Sequence, residues 1–517
     1  MTDMQRRNTP SETGTNLLFR AISAIERVGN KLPHPFWLFW ILAAVLALVS
    51  CALSMAGVSA ILPKTGKVVE IKNLISLDGL AFAAESAVDN FASFPPLAII
   101  VVMILGVSVA EKSGLLEALL RITIVRLPGR GVTFAIAFSG MIAHVMSDSA
   151  YLVMIPLGAL AFRAAGRSPV LGVMVAYVSV SAGFNASPLV TPSDAVRSAL
   201  TAAAAQTVDP GYIVTPVATY FFSAVSSLFL AMIITLVVEL VLAKRPDFSA
   251  EAGGAAGETE PARLQLSSTE RRALRLTVGV FVLYAAAVVL LLMIPGSPLM
   301  GENGSIVRSV VMENISVFIA LLFALVGFVY GRITASIPRL SHVPAIMTDG
   351  ISKIAPVIVL FFVVSQFLAY FTWTGIGSVL AVKGADLLHS INAPHLVILL
   401  TIAVAVAVLN MLVTSGSAMW AILAPILVPM MMYLGIRPEA AMTTFMIGDS
   451  VTNAVTPMSP YFVLALGFVQ QYRKNAGIGT LMSFAVPIST VFLITWTALF
   501  ALWYTLGILL GPGIPVR

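Results

Sequence analysis

The sequence predicts an all-α polytopic membrane protein with about nine transmembrane helices plus two re-entrant helical hairpins, built as an inverted internal repeat. Three observations predict it. Of 517 residues, 58% are apolar and only 10% are charged, whereas soluble domains carry about 25% charge. Apolar runs long enough to cross roughly 30 Å of hydrocarbon recur from Pro35 onward. Two blocks of the chain share polar landmarks in the same order. This composition excludes disordered, collagenous, coiled-coil and disulfide-framework chains. The alternating segments of a membrane β-barrel are not seen.

The elements follow in order. Residues 1–35 read as a cytoplasmic tail, polar and without the early apolar core of a signal peptide. The first span, Phe36–Gly57, follows Arg6, Arg7, Arg20, Arg27 and Lys31, which places the N-terminus inside. Ala60–Asn90 is then outside, against the weaker signal of Lys64, Lys67 and Lys72. Leu97–Ala110 returns inward, with Arg121, Arg126 and Arg130 behind it. A dense apolar block, Val132–Leu200, is broken by polar knots. Tyr212–Leu242 is long for one crossing, which predicts tilt, a kink or an overhang. Together these form a first half, 36–243.

The segment 244–275, with six basic and five acidic residues, reads as a cytoplasmic linker. An extra span, Leu276–Ile294, and an external loop fill 276–311. The second half, 312–517, opens with Ser316–Val329, and Arg332, Arg339 and Lys353 lie inside. A dense block, Ile354–Phe468, ends at Arg473 and Lys474, again inside. The last span, Ile478–Leu509, leaves the C-terminus outside. The net charge of +6 is scattered among loops, as cytoplasmic retention of Lys and Arg requires, so no nucleic-acid partner is expected. Cys51, the single cysteine, can form no intrachain disulfide.

The two blocks match landmark by landmark. Phe94-Pro95-Pro96 and Ile354-Ala355-Pro356 each open a span, ending at Ser113-Gly114-Leu115 and Thr374-Gly375-Ile376. Serine knots follow: Ser147-Asp148-Ser149-Ala150 and Ser415-Gly416-Ser417-Ala418. Next come in-span prolines, Pro156 and Pro425, and the turns Gly166-Arg167-Ser168-Pro169 and Gly435-Ile436-Arg437-Pro438. Last come second knots, Asn185–Asp194 with Thr191-Pro192, and Asp449–Pro460 with Asn453 and Thr456-Pro457. The first block starts outside and the second inside, so the halves are inverted. This arrangement is characteristic of secondary transporters, which bind substrate where broken helices meet.

The knots carry the chemistry. Ser-X-Ser followed by Pro suits a hairpin tip or a break between half-helices. There, free N–H groups can hold an anion and free carbonyls a sodium ion. Ser147, Ser415 and Ser417 stand at the tips. Asn185, Asn453 and Asp449 are the candidate sodium ligands, since hard cations take oxygen shells. A serine or threonine can equally bond within its own helix. Asp148, Asp194 and Asp449 are candidate proton carriers or ion ligands, because a carboxylate within a membrane costs about 2.5 kcal/mol or more; the competing reading places them in wet headgroups. Trp420 can stack on a ring-bearing substrate or simply pack. No phosphate-binding loop, H-E-x-x-H motif or dinucleotide fingerprint occurs, and no enzyme activity or organic cofactor is expected.

The sequence also resembles the AbgT (p-aminobenzoyl-glutamate transporter) family. The resemblance rests on Ile25-Glu26-Arg27-Val28-Gly29-Asn30-Lys31-Leu32-Pro33-His34-Pro35, Ser415-Gly416-Ser417-Ala418-Met419-Trp420-Ala421 with Ala424-Pro425-Ile426, Ile447-Gly448-Asp449-Ser450-Val451-Thr452-Asn453 and Leu510-Gly511-Pro512-Gly513. It implies a homodimer in a bacterial inner membrane, with a hairpin-bearing core and a scaffold that forms the dimer contact. It implies proton- or sodium-linked movement of p-aminobenzoyl-glutamate and, in some members, sulfonamide export. Positions matching the family's transport residues are Asp194, Asn410, Ser417, Trp420, Pro438, Asp449 and Pro457. Met446 stands where the family pattern has an arginine, a residue able to pair a substrate carboxylate or Asp449. The rival readings are a channel and a carrier for a different small organic anion.

Overall fold

The computed structural model describes residues 33–63, 66–125, 131–245, 265–294, 296–301, 305 and 309–517. Most of the expected tail and the centre of the expected linker lie outside these residues. The first half begins with α1 (Pro35–Met55), a hairpin of β1 (Ser59–Ile61) and β2 (Val68–Glu70), and two short helices, α2 (Leu77–Glu85) and α3 (Ala87–Ala92). The strands pair antiparallel with Ser59 opposite Glu70. Then come α4 (Pro95–Lys112), α5 (Leu115–Val125), α6 (Val132–Ala143), α7 (Ser149–Ala164), α8 (Pro169–Ala182), α9 (Pro192–Ala205) and α10 (Tyr220–Leu240). After the linker, α11 (Ser268–Met293) and the short α12 (Val310–Glu313) lead to α13 (Ile315–Ile333) and α14 (Val343–Trp373). The chain ends with α15 (Ile376–Ser390), α16 (His395–Asn410), α17 (Gly416–Tyr433), α18 (Pro438–Val451), α19 (Pro460–Tyr472) and α20 (Ile478–Leu506).

Among the described residues, eight helices are long and apolar enough to cross a membrane: α1, α4, α10, α11, α13, α14, α17 and α20. The others in the dense blocks are shorter. A helix of 14 residues, such as α8 or α18, rises about 21 Å, which is less than the hydrocarbon thickness. These short helices end where the polar knots stand.

The helix breaks run in parallel through the two halves. α6 ends in a 3₁₀ turn (His144–Met146), Ser147 takes φ = 48°, and α7 begins at Ser149. A left-handed serine is strained and occurs where the surroundings impose a sharp reversal. In the second half α16 ends at Asn410, and Ser415 caps α17 by accepting from Ala418 N–H. At the far ends of α7 and α17, Gly166 and Gly435 take φ = 69° and 77°. Their turns close with Arg167 N–H to Phe162 O and Ile436 N–H to Met431 O, both 2.8 Å, and a proline then starts the next helix.

Four boundaries differ from expectation. Pro356 does not open a span; α14 starts at Val343 and carries Pro356 inside it, since apolar periodicity on both sides sustains the helix across one missing bond. Tyr212–Leu242 is not one overlong span; residues 212–219 are turns ahead of α10. The helix start equivalent to Thr191-Pro192 is Ser459-Pro460 rather than Thr456-Pro457, and both starts then fall 44 residues after the first serine of their knots. The end of the expected linker is already helical, because Ser267 and Glu270 form a capping box on α11.

Packing separates two bodies. α1, α4, α11, α13 and α14 pack among themselves, with α13 lying on α4 and α11 on α13. The hairpins and broken helices form the other: α6 and α7 pack on α8, α16 on α18, and α9 on α17. α10 and α20 close around this core, and α9 joins it to α4. Small residues permit the closest approaches, as in membrane bundles generally. A Cβ on Gly158 of α7 would lie 2.5 Å from the Gly172 carbonyl oxygen of α8. Gly158→Val is therefore expected to force these helices apart and to destabilise the protein by about 1–3 kcal/mol, seen as a lower Tm in detergent.

Candidate functional site

The candidate site is built around the C-terminal end of α18. α18 stops at Val451, and Thr452 to Ser459 leave helical geometry before Pro460 restarts the chain. Its last carbonyls have no partners within the helix. Side chains from other elements bond to this end and to the residues beside it. Asn185, in the break between α8 and α9, donates through Nδ2 to Met446 O and to Asp449 Oδ2, both at 3.0 Å. Its backbone N–H reaches Ser450 Oγ at 3.1 Å. Asn410, the last residue of α16, donates to Asp449 O at 2.6 Å, Asn453 Oδ1 at 2.8 Å and Thr452 Oγ1 at 3.0 Å. Tyr177 of α8 donates to Ala454 O at 3.1 Å. The break of the first half and that of the second are thus bonded to each other.

The Asp449 side chain is buried, at 1% exposure. Opposing fields act on it. It sits at the negative end of α18, where a carboxylate is disfavoured. It also faces the first residue of α17, a positive helix end, since a Cβ on Gly416 would lie 2.6 and 2.7 Å from its two oxygens. Arg197 of α9 is the nearby positive group, and its charge acts on both Asp449 and His144. Arg197 is itself buried and pairs with Asp194 at 2.7 Å, with its Nε left unpartnered.

The expected site residues divide accordingly. Asn185, Asn410, Asp449 and Asn453 come together, and Ser415 and Ser417 flank the Gly416 contact. Asp194 binds locally: it accepts from Thr191 N–H and Oγ1 at 2.8 and 2.7 Å, completing the α9 capping box, and it reaches the centre only through Arg197. The first tip meets the second break on another side, where Asp148, next to Ser147, lies beside the Tyr461 hydroxyl and Tyr151 stacks on Tyr461 at 3.9 Å. Pro457 lies in the break itself, next to Thr456, whose hydroxyl donates to Met411 O at 3.0 Å. Pro438 is not part of the centre; it starts α18, about 16 Å along the helix from Asp449. Met446 is buried, and its sulfur accepts from Thr219 Oγ1 at 3.8 Å.

The oxygen donors can be tested against a sodium ion. Both asparagine amides must point their Nδ2 at the acceptors just named, so their oxygens face the other way. Asn185 Oδ1 and Asn410 Oδ1 are buried and have no hydrogen-bond partner. Each is an acceptor of the kind a hard cation takes, on the side of its amide turned away from the group that its Nδ2 binds. Asn453 Oδ1 is already engaged by Asn410, so Asn410 is the better ligand of the pair. Among the described residues no group of three His, Cys, Asp or Glu side chains suits a transition metal.

A cavity of about 460 Å³ lies on one side of this centre. α9 lines it with Leu200, Ala203 and Ala204, followed by Thr207 just beyond the helix, and α17 with Ala421, Ala424 and Pro425. Toward the centre the next residues are Thr201 and Trp420, both fully buried, and the indole N–H donates to Thr201 Oγ1 at 2.9 Å. Phe445 of α18 packs on the indole with ring centroids 4.5 Å apart. One turn further along stand Arg197 and Gly416. Cavity, bonded pair and charged centre therefore follow one another along both helices. Arg197 and Thr201 were missed in the sequence. The signal for Arg197 was present, as an ionisable residue three positions after Asp194 within an apolar helix.

A helical membrane body with interrupted helices meeting at a buried acid, next to a ligand-sized cavity, defines a multi-pass membrane transporter of small molecules. The chain belongs to the AbgT family: the model described as "AbgT putative transporter family" matches residues 20–517. It is 34% identical over 516 residues to the p-aminobenzoyl-glutamate transport protein of Escherichia coli (strain K12), covering 99% of this chain and 100% of that one. The YdaH transporter of Alcanivorax borkumensis, solved by crystallography and described as having an unusual topology, is 35% identical. It superposes with a TM-score of 0.86 over 93% of this chain and 100% of its own. MtrF of Neisseria gonorrhoeae, described with a class of antimetabolite efflux pumps, is also 35% identical, with a TM-score of 0.88 over 96% and 100%. Family members are transporters, not enzymes.

Two outcomes follow from the geometry. Thr201→Val leaves the Trp420 N–H buried without an acceptor, which is expected to cost about 1–3 kcal/mol in detergent unfolding, while Thr201→Ser is nearly neutral. Gly416→Ala pushes a methyl group into the Asp449 carboxylate and is expected to cut transport at least about tenfold while leaving expression intact, read as uptake per mole of purified protein.

Proposed function

We propose that this protein is a secondary active transporter of p-aminobenzoyl-glutamate or sulfonamide-like aromatic compounds in the bacterial inner membrane, coupled to a proton or sodium gradient. The observation that carries this reading is the buried Asp449, bonded by Asn185 of the first half and Asn410 of the second, whose amide oxygens are unpaired. A bound sodium ion would add to the positive charge of Arg197, which is itself paired with Asp194, with Asn185 and Asn410 turning their free amide oxygens to it. A proton on Asp449 would serve in its place.

The names of the relatives support the substrate class, one being a p-aminobenzoyl-glutamate transport protein and another described with antimetabolite efflux pumps. The parallel order of the helix breaks supports two inverted halves, 36–243 and 312–517, with the N-terminus cytoplasmic and the C-terminus periplasmic. The body of long helices, α1, α4, α11, α13 and α14, suits the scaffold of a homodimer. The closed Trp420–Thr201 pair favours a carrier over an open channel, because it separates cavity from centre. Alternating access would combine a shift of the hairpin core against the scaffold with a movement of α17 on α9, which breaks this pair.

The test uses proteoliposomes with imposed gradients. Labelled p-aminobenzoyl-glutamate or a sulfonamide is expected to accumulate with one gradient, of pH or of sodium, and not with both gradients collapsed. Asp449→Asn is expected to abolish accumulation. Flux that never exceeds equilibration would overturn the carrier reading, and normal accumulation by Asp449→Asn would remove that residue from coupling.

A further inference from the structure

A second cavity, of about 490 Å³, lies at another part of the boundary between the two packing bodies. α10 packs chiefly on α6 and α20, and α11 packs on α13, which leaves a space between α10 and the α11–α13 pair. Ile315, Ile319, Leu322, Phe323 and Val326 present one face of α13 to this space. From Ile315 to Val326 that face rises about 16 Å, the depth of one leaflet of a hydrocarbon core roughly 30 Å thick. Phe221 of α10 and Val278 and Phe281 of α11 line the cavity and are also exposed, so it opens sideways between two membrane-crossing helices. In a bilayer that opening faces lipid chains.

The lining side chains are apolar but for two hydroxyl groups, and none of those among the described residues is charged. Tyr220 donates to Pro188 O at 3.1 Å. Thr277 is only 5% exposed, and its hydroxyl has no hydrogen-bond partner. A buried hydroxyl without a partner is costly, and a helical threonine has its own backbone to bond to. Hydrocarbon walls with one orphaned donor fit a long apolar chain that carries an acceptor near one end. A fatty-acyl ester is such a chain.

The start of α11 supplies the charge that a lipid headgroup takes. Arg271 stands three residues before Leu274, which lines the cavity, and so lies on the same side of the helix. Its Nε donates to Leu266 O at 3.1 Å, which leaves its terminal nitrogens for a phosphate. Arg275 is exposed beside the same stripe. The neighbouring acids Glu117 and Glu270 both pair with Arg121, at 3.0 and 3.4 Å. From Arg271 to Thr277 the helix rises about 9 Å. Cation, hydroxyl and hydrocarbon wall thus follow one another in the order of phosphate, ester and chain in a phospholipid.

We propose that this cavity binds one anionic phospholipid, with its phosphate at Arg271 and Arg275, an ester carbonyl on the Thr277 hydroxyl and an acyl chain along α13. The chain lies against the scaffold on one side and, on the other, against Pro188, Leu189 and Val190 in the break between α8 and α9. None of the lining side chains belongs to the Asp449 centre. The assignment is independent of which compound or ion is transported.

The experiment titrates the full-length protein in detergent with phosphatidylglycerol, or with phosphatidylcholine of the same chains, and reads bound lipid by native mass spectrometry. One phosphatidylglycerol per chain is expected to bind about tenfold more tightly than phosphatidylcholine. Arg271→Gln with Arg275→Gln is expected to equalise the two lipids. Thr277→Val is expected to weaken both about fivefold, and Thr277→Ser to restore them. Ile319→Trp fills the cavity and is expected to lose the lipid, with monodispersity in size-exclusion chromatography reporting that the variant is folded. Phosphatidylglycerol carrying a mid-chain diazirine is expected to label the buried Thr277 and Val326 in the native protein and not in Ile319→Trp. Retention of no lipid by the native protein, equal retention by Ile319→Trp, or labelling confined to exposed helix faces would overturn the proposal. Chains that dimerise with loss of the lipid would show a second copy filling the space and would overturn it as well.

Discussion

The termination of α18 inside the protein is the constraint from which the rest of the architecture follows. A helix that stops within a membrane protein leaves carbonyl groups that water does not reach. Here Asn410 donates to the Asp449 carbonyl at the helix end, Tyr177 to the Ala454 carbonyl just beyond it, and Asn185 to the Met446 carbonyl and the Asp449 carboxylate; two of the three come from the opposite half of the chain. This requirement locks the two breaks together. It also fixes Asp449, whose carboxylate is buried at the helix terminus least suited to a negative charge. The same bonds that stabilise the break therefore hold a carboxylate at a negative helix end, where the positive charge of Arg197 acts on it.

The path to this centre is ordered by helical periodicity. α9 and α17 pack side by side and both begin at the centre, so residues at successive turns reach successive depths. Arg197 and Gly416 lie at the inner level, Thr201 and Trp420 at the next, and the cavity-lining alanines beyond them. The small side chains Ala203, Ala204, Ala421 and Ala424 leave the volume that the cavity occupies. The large Trp420 ends it. Size alternation along two helices thus sets where the cavity ends and the packed pair begins.

The division into two packing bodies gives this rearrangement a mechanical basis. The broken helices and hairpins bond mostly to one another, whereas α1, α4, α11, α13 and α14 form a group of long helices. Gly-to-backbone contacts such as Gly158 with Gly172 make the core internally tight. Movement is cheapest where such contacts are few, at the boundary between the bodies. The cavity lies at that boundary, with α14 on one side and α9 and α17 on the other.

Much of this was legible in the residues. Composition fixed the helical membrane class, because so few charges cannot solvate so much apolar surface. The serine knots, the following prolines and the Gly-X-X-Pro turns marked the tips, kinks and hairpin bases, since each residue type has a local backbone consequence that needs no partner. Asn185, Asp449 and Asn453 stood out as polar groups in apolar surroundings. Tertiary structure alone decided which of them meet. Asp194 and Asp449 look alike in sequence, yet one closes a capping box and the other is buried at a helix end, because carboxylate environment depends on neighbours remote in the chain. The same holds for Trp420, whose partner Thr201 lies 219 residues away, and for Pro438, distant from the centre despite its matching position. Local sequence determines where a helix must stop; only the packing of the two halves determines what fills the space that each stop leaves open.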